Sequence, residues 1–585
     1  MTQIFIISLI LLSAVTSAGY IFNKYFLKFK TEGTFSEYGI LGVIFLSIIA
    51  FLLNFFFALS PIISNLIFIF PLLFVFTEKF GTEQIFQFLK FSIVFSFLLI
   101  IYLSYSNYYR PDGGWYHLPF SRLITDFKII FGSASLHPMF GTSSILQYLS
   151  SFFHTSLTGV NGVLFVNPLI LILFLLFFFE IFIKYKETIL KFFSLLILFT
   201  IFIEMNRNSE LGNDGPGHLF YFYLIFVFLR GKLSKVFDKQ IFEYTSLIAV
   251  FCFFIKSLYV FALSFPIFIF FKKRLHTKIK NYFNLAGTFL ILWIFKNIII
   301  SGCMIYPVQI TCFENLKWYS SEAKFEISAI NTSQFSELHS KGWPDFQENK
   351  QYYLNYKHDQ KKKEIFLKNF NWLTEYLKQG RYYNLTKKID FLIPVIFLFL
   401  ILSMLFALKN NKKIFKKSKN TKKIDIYLLL FSSLLFSIIV CLKLPDGRYL
   451  FAYLISMIFF IIIYYVDTDI FFYKQKKLFG SISSIFLVIL FSVFLVKNID
   501  KTINKSESSY LFPELNYNKQ IFKSLSKKTN SGENFEIFFT DKKYTKFASK
   551  DLCGYHKSPC VQNESILKQF DVDLTNNYIV LKLKK

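Results

Sequence analysis

Apolar runs of 16 to 22 residues recur along this chain, each long enough to cross a hydrocarbon core of ~30 Å. In lipid a backbone N–H or C=O finds no water, so each run must satisfy its own hydrogen bonds as a helix. The runs fall at 4–22, 39–59, 62–77, 91–107, 160–183, 189–204, 217–229, 243–257, 258–271, 282–300, 389–408, 425–441, 449–466 and 481–496, the pair inside 243–271 being the least separated. They exclude a soluble enzyme, a disordered chain and a nucleic-acid-binding domain as the main reading. They predict instead an all-α polytopic membrane protein of about 12–14 transmembrane helices. The formal charge of +28 does not point to nucleic acid, because in a membrane chain the placement of charge matters more than its sum. Phe (82 residues), Ile, Lys and Asn are all abundant, a bias typical of AT-rich coding sequence that needs no functional reading.

Loop charge orients the chain. Residues 409–423, KNNKKIFKKSKNTKK, hold eight lysines and no acid, which places them in the cytoplasm. Lys272, Lys273 and Arg274, Lys474, Lys476 and Lys477, and Arg230 with Lys232 share that side. Alternation then puts 108–159, 205–216, 301–388, 443–448 and the tail after 497 outside. The first run lacks a basic n-region, so it reads as a membrane helix rather than a signal peptide cut after Ala18. The implied organisation is N-terminal transmembrane helices over 1–107, a core with exterior acidic loops over 108–300, an exterior loop region over 301–388, C-terminal transmembrane helices over 389–496, and an exterior soluble domain over 497–585. Strand-like FEIFF and NYIVLKL beside helix-like stretches make that last part a small α+β domain. Cys303 with Cys312, and Cys553 with Cys560, form two close pairs on the side read as exterior, where disulfides persist. Four separate thiols fit the same spacing. No zinc-type spacing occurs, so no metal site is assigned.

Candidate chemistry collects on the exterior face. In YYRPDGGWYHLPF, residues 108–120, Pro111, Gly113 and Gly114 predict a tight turn presenting Asp112 at the mouth of a membrane helix. Arg110, Trp115, Tyr116 and His117 surround it. A carboxylate there can take a proton from a sugar hydroxyl or bind a cation, and the aromatic faces suit a sugar ring. The bland reading is an interfacial turn with belt aromatics. In EMNRNSELGNDGPGHLFYF, residues 204–222, Asp214 repeats the pattern, with Glu210 and His218 nearby. Here the alternative is a helix start at which the dipole favours the acid. Lys256 sits at the turn of a predicted hairpin, Lys296 lies within an apolar run, and Arg448 follows Asp446. An ammonium inside such a run needs a partner such as a lipid phosphate, unless it snorkels. For Arg448 the competing partner is Asp446. Residues 121–159 predict one or two amphipathic helices in the outer interface, broken at His137, Pro138 and Gly141.

This layout resembles the GT-C superfamily of integral-membrane glycosyltransferases: an acidic first exterior loop after an early helix, amphipathic helices, a second acidic loop and a soluble exterior part. YRPDGGWYHLP, NDGPGHL, KNIIISGCMIYP and LPDGRY look more closely like bacterial polytopic proteins linked with surface-polysaccharide synthesis, over most of residues 100–465. The resemblance implies a polyprenyl-phosphate-linked sugar donor and a glycan or lipid acceptor at the exterior face of a bacterial inner membrane. By position, Asp112 takes the role of base and Asp214 matches the second acid, with His117 beside them. Arg110, Trp115, Tyr116, Glu210, His218, Lys256, Lys296 and Arg448 become substrate contacts. Many members carry two neighbouring acids in the first loop, whereas Asp112 has none before Asp126, so the only cofactor implied is an optional divalent cation. A transporter or flippase of lipid-linked saccharides ranks second, because polar groups gather at one face and do not line a path through the spans. An O-antigen polymerase or ligase ranks third, because 301–388 contains only Arg381 among arginines.

Overall fold

The computed structural model describes residues 2–584 except 30–33, 78–81, 106–112, 205–210, 234–238, 273–284, 320–328, 344–359, 384–389, 391, 392, 395–425, 466–477, 506–521, 531, 541–552, 554–557, 562 and 563. The described chain is mostly helical with a small β region at its C-terminal end. Its principal helices are α1 (Thr2–Ile21), α2 (Phe35–Asn54), α3 (Pro61–Thr77), α4 (Thr82–Tyr105), α5 (Leu118–Asp126), α6 (Ile145–Phe152), α7 (Val166–Lys184), α8 (Thr188–Glu204), α9 (Asp214–Leu233), α10 (Lys239–Ile255), α11 (Ser264–Lys272) and α12 (Leu285–Ser301). There follow α13 (Ala329–Lys341), α14 (Gln360–Leu367), α15 (Trp372–Lys378), α16 (Ile426–Lys443), α17 (Gly447–Tyr465) and α18 (Leu478–Lys505).

A helix stands over every predicted span except 389–408, which falls almost wholly outside the described residues, as does the lysine-rich segment 409–423. Among the described residues, five helical stretches suffice by length and composition to cross a membrane: Gln3–Leu27, Phe35–Asn54, Thr82–Leu103, Gly159–Lys184 and Gly447–Tyr465. Several boundaries differ from the sequence reading: α4 begins at Thr82 and not at 91, and α18 runs on to Lys505, past 496. The run at 39–59 stops being helical at Asn54, whose side-chain amide donates to the carbonyls of Phe57, Ile124 and Phe127 and turns the chain.

Close packing has visible causes. Helices α1 and α2 cross backbone to backbone: a Cβ on Gly19 would lie 1.8 Å from the Tyr38 carbonyl oxygen, and one on Gly42 equally close to that of Val15. Helix α9 is the central strut, buried on all sides from Gly215 to Gly231, as expected of a helix that is apolar all round. At its far end Arg230 meets Glu37, which is fully buried on α2, at 3.1 Å. The Tyr223 hydroxyl donates to the same carboxylate at 3.2 Å and lies 2.5 Å from the Tyr244 hydroxyl, while the guanidinium lies 4.8 Å from the Phe29 ring centre.

The β region pairs β1 (Phe522–Lys528) antiparallel with β2 (Asn534–Thr540), and β2 parallel with β3 (Cys560–Val561). A short helix, α19 (Glu564–Leu567), precedes the hairpin β4 (Phe570–Thr575) and β5 (Tyr578–Leu583). Its two-residue loop, Asn576 and Asn577, has positive φ at both positions, the twist a tight hairpin prefers. Strand β5 bonds the Phe131 backbone through Ile579 and Leu581, and the Tyr578 hydroxyl donates to the Phe55 carbonyl. This anchors the β region to the α5–α6 connection and the end of α2. Both cysteine pairs, Cys303–Cys312 and Cys553–Cys560, are disulfides.

Glu37→Ala strands the Arg230 charge in the interior. Breaking one side of a buried pair costs about 3–5 kcal/mol, so thermal unfolding in detergent should report a loss of that order.

Candidate functional site

The polar cluster forms where helices start and stop at one end of the bundle. Asp214 is the first residue of α9, so the alternative reading of this turn as a helix start is correct for its backbone. Helix α10 ends at Ile255, and Lys256 is extended (φ −157°, ψ 129°) before a 3-10 turn over Ser257–Leu263. That break is the predicted hairpin turn, and it delivers the Lys256 ammonium to the Asp214 carboxylate as an ion pair. The pair is partly open, with the Asp214 side chain 35% exposed and that of Lys256 28%.

A second cation stands beside it. Lys256 Nζ lies 4.2 Å from the centre of the Tyr449 ring, and the Arg448 guanidinium lies 4.8 Å from the same centre. Arg448 does pair with Asp446, at 3.1 Å, as its competing reading proposed. Burial alone would raise the Asp214 carboxyl, but Lys256 and then Arg448 outweigh it and hold it down at about 2.

The first glycine loop meets the second. Asp112, Arg110 and Glu210 lie outside the described residues. Where the sequence predicts a tight turn at Gly113 and Gly114, the backbone is a π-helical turn over Gly113–His117 that runs into α5. A Cβ on Gly113 would lie 3.5 Å from the Leu211 side chain, which stands three residues before Asp214. Trp115 and Tyr116 are half-buried and His117 is buried. Burial pushes the His117 imidazole down to about 4, with Asp214 opposing and Lys256 adding to the shift.

The proton on His117 can be placed from its neighbours. In the capping box that starts α6, Gln147 Oε1 accepts from the Ser144 N–H at 2.7 Å. That fixes the amide so that Gln147 Nε2 faces His117 Nδ1 at 3.3 Å. Nδ1 therefore accepts, and the neutral ring carries its hydrogen on Nε2.

His218 and Lys296 are both buried, in different settings. His218 Nδ1 lies 2.6 Å from the Tyr259 hydroxyl. Glycine is required at 217, where a Cβ would lie 2.5 Å from the Tyr259 ring. Lys296 does not snorkel: it is fully buried, donates to Ser143 Oγ at 3.0 Å and lies 3.7 Å from the Trp293 ring centre. Ser143, Trp293 and Asn297 line a cleft together with Lys256, about 20 Å³ in volume, room for roughly one water. The amphipathic segment after the first loop forms α5 and α6, as predicted, and both helices are mostly buried against the rest of the protein.

The sequence reading missed Gln147, Tyr449, Tyr259 and Ser143. The Ser144-to-Gln147 spacing is a capping-box signature and Tyr449 adjoins Arg448, so two of them carried a signal. Among the described residues no group of three His, Cys, Asp or Glu side chains could hold a metal ion.

The fold and its polar end define a helical membrane protein with a charged cluster at the helix termini. The chain belongs to the family described as a domain of unknown function (DUF8201), whose model matches residues 1–455. No curated protein and no solved structure matches it.

His117, held neutral, takes up a proton more readily once unfolded, where its pKa returns to about 6.5. Its contribution to stability is therefore full above pH 6.5 and falls as pH drops toward 4. His117→Gln should show a shallower decline of melting temperature over that window than the parent protein.

Proposed function

We propose that this chain is a membrane glycosyltransferase that moves a sugar from a polyprenyl-phosphate-linked donor to a cell-envelope glycan or lipid acceptor. It works at the exterior, periplasmic face of a bacterial cytoplasmic membrane. The observation that supports this reading most is the meeting of the two glycine loops. Gly113 packs beside Leu211, and Asp214 acts on His117 while pairing with Lys256. Residues 101 positions apart in sequence, Gly113 and Asp214, thus belong to one charged cluster that Arg448 also joins.

The chemistry follows from the charges. Asp112 removes the proton of an acceptor hydroxyl as that oxygen attacks the anomeric carbon of the donor. The bond from that carbon to the phosphate oxygen breaks, and its electron pair leaves with the lipid phosphate. Lys256 and Arg448 stabilise the growing negative charge, and His117 Nε2–H offers a neutral donor beside them. Asp214, held near 2, is too weak a base for the proton transfer. Its part in this scheme is to position Lys256, a change from the acid–base role that its place in the sequence suggests.

Two variants test the scheme against lipid-linked saccharides and surface glycans measured with and without the gene. Asp112→Asn should abolish transfer while expression and melting temperature stay at the parent level, and full transfer in that variant would sink the assignment. Lys256→Met should lower kcat by about 10²–10³-fold, the usual cost of losing one contact to a transition-state anion.

A further inference from the structure

Directly after α12 the chain closes a small ring, Cys303 to Cys312, whose residues between the cysteines are MIYPVQIT, without a single charge. The ring has two faces. Its inner face is fixed: Tyr306 is buried and its hydroxyl lies 2.8 Å from Thr332 Oγ1, while the Asn297 amide donates to the Met304 carbonyl. Its outer face is mostly apolar and bare, with Ile310 93%, Val308 46% and Met304 39% exposed around one exposed polar residue, Gln309, and with Phe313, 40% exposed, directly after the ring.

We infer that this disulfide-closed ring is a membrane-inserted finger, embedded in the lipid leaflet at the charged end of the bundle. Three observations carry this. The first is continuity with a lipid-facing surface. On α12, Ile291 and Phe295 are 69% and 53% exposed, and Ile298 follows on the same helical face. Ile298 then lines a hollow of about 510 Å³ whose other walls include Cys312, Phe313 and Leu316. The apolar stripe of the helix therefore reaches the flank of the ring, where Glu314 and Asn315 share the wall of the hollow.

The second is that insertion strands little backbone. Met304 N–H donates to the Thr311 carbonyl, Val308 to Ile305, Thr311 to Val308, Cys312 to Gln309 and Phe313 to Gly302, while Ile305 N–H donates to Thr311 Oγ1. A loop that pairs most of its own amides enters an apolar layer at lower cost than an open loop does. The third is the placement of charge. Glu314 and Lys317 begin just after the ring, with Trp318 and Tyr319 following, the composition of a chain leaving lipid for water. The inner face links this finger through Thr332 to α13, whose Glu337 meets Lys443 at 2.5 Å, five residues before Arg448 in the chain. Insertion thereby fixes the height of the α13 segment over the charged cluster.

The test uses the full chain in bilayer nanodiscs of phosphatidylethanolamine and phosphatidylglycerol. A photoreactive benzoylphenylalanine replaces Ile310, Val308, Phe295 or Lys528, and lipid adducts are counted by mass after irradiation. Phe295 is the lipid-facing reference and Lys528, exposed on β1, the aqueous one. Burying one large apolar side chain favours lipid over water by about tenfold or more, so adducts at 310 and 308 should match those at 295 and exceed those at 528 by that factor. Adduct yields at both ring positions no higher than at 528, or cross-links at 310 to another protein chain in place of lipid, would overturn the proposal.

Discussion

Helix α9 is tied at both ends by an ion pair, and most of the bundle is arranged around that fact. Its twenty residues reach about 30 Å, the thickness of a hydrocarbon core. Asp214 begins it and Arg230 lies in its last turn, so each charge also sits at the favourable end of the helix dipole. An unpaired charge at either place would be costly so close to lipid. The partners come from helices distant in sequence, Lys256 from the end of α10 and Glu37 from the start of α2. Pairing both ends therefore sets the register of three helices at once.

The two pairs differ in one respect that separates structure from function. Glu37 is wholly enclosed and receives both Arg230 and the Tyr223 hydroxyl, so no ligand can reach it without unfolding the helix ends. Asp214 and Lys256 keep about a third of their side-chain surface open and stand beside Tyr449 and Arg448. A partly open pair can exchange one partner for a ligand at small cost, because water already screens it. The sealed end holds the bundle together, and the open end is where recognition can occur.

Much of this was legible in the sequence, because lipid permits so few solutions. Apolar runs had to be helices, and those among the described residues are, with errors confined to boundaries such as Asn54, where a side-chain amide rather than hydrophobicity ends the helix. FEIFF and NYIVLKL are strands β2 and β5. The cysteine pairs, which spacing alone could not settle, are joined. What the sequence withheld was partnership across distance. Nothing local says that Lys256 reaches Asp214, or that Lys296 is sealed against Trp293 and Ser143 and does not reach the surface. At Gly113 and Gly114, the described part of the expected tight turn, the backbone is a π-helical turn that ends at His117, which is drawn inward to Gln147, a contact 30 residues away in sequence.

That inward draw also decides which groups of the cluster can accept a proton. His117 Nδ1 is occupied by the Gln147 amide, and its Nε2 already carries a hydrogen. Asp214 is held ionised and weakly basic by the cations on either side. Lys256 and Arg448 bring only donors. The described members of the cluster are thus nearly all donors or spent acceptors, an arrangement suited to receiving an anion and poorly suited to taking a proton from a hydroxyl. A transfer reaction needs both functions. On the proposed reading, the base is the acid next to Gly113 in the first loop, the residue to which the resemblance gives that role. For that reason Asp112, and not the better-placed Asp214, carries the catalytic assignment.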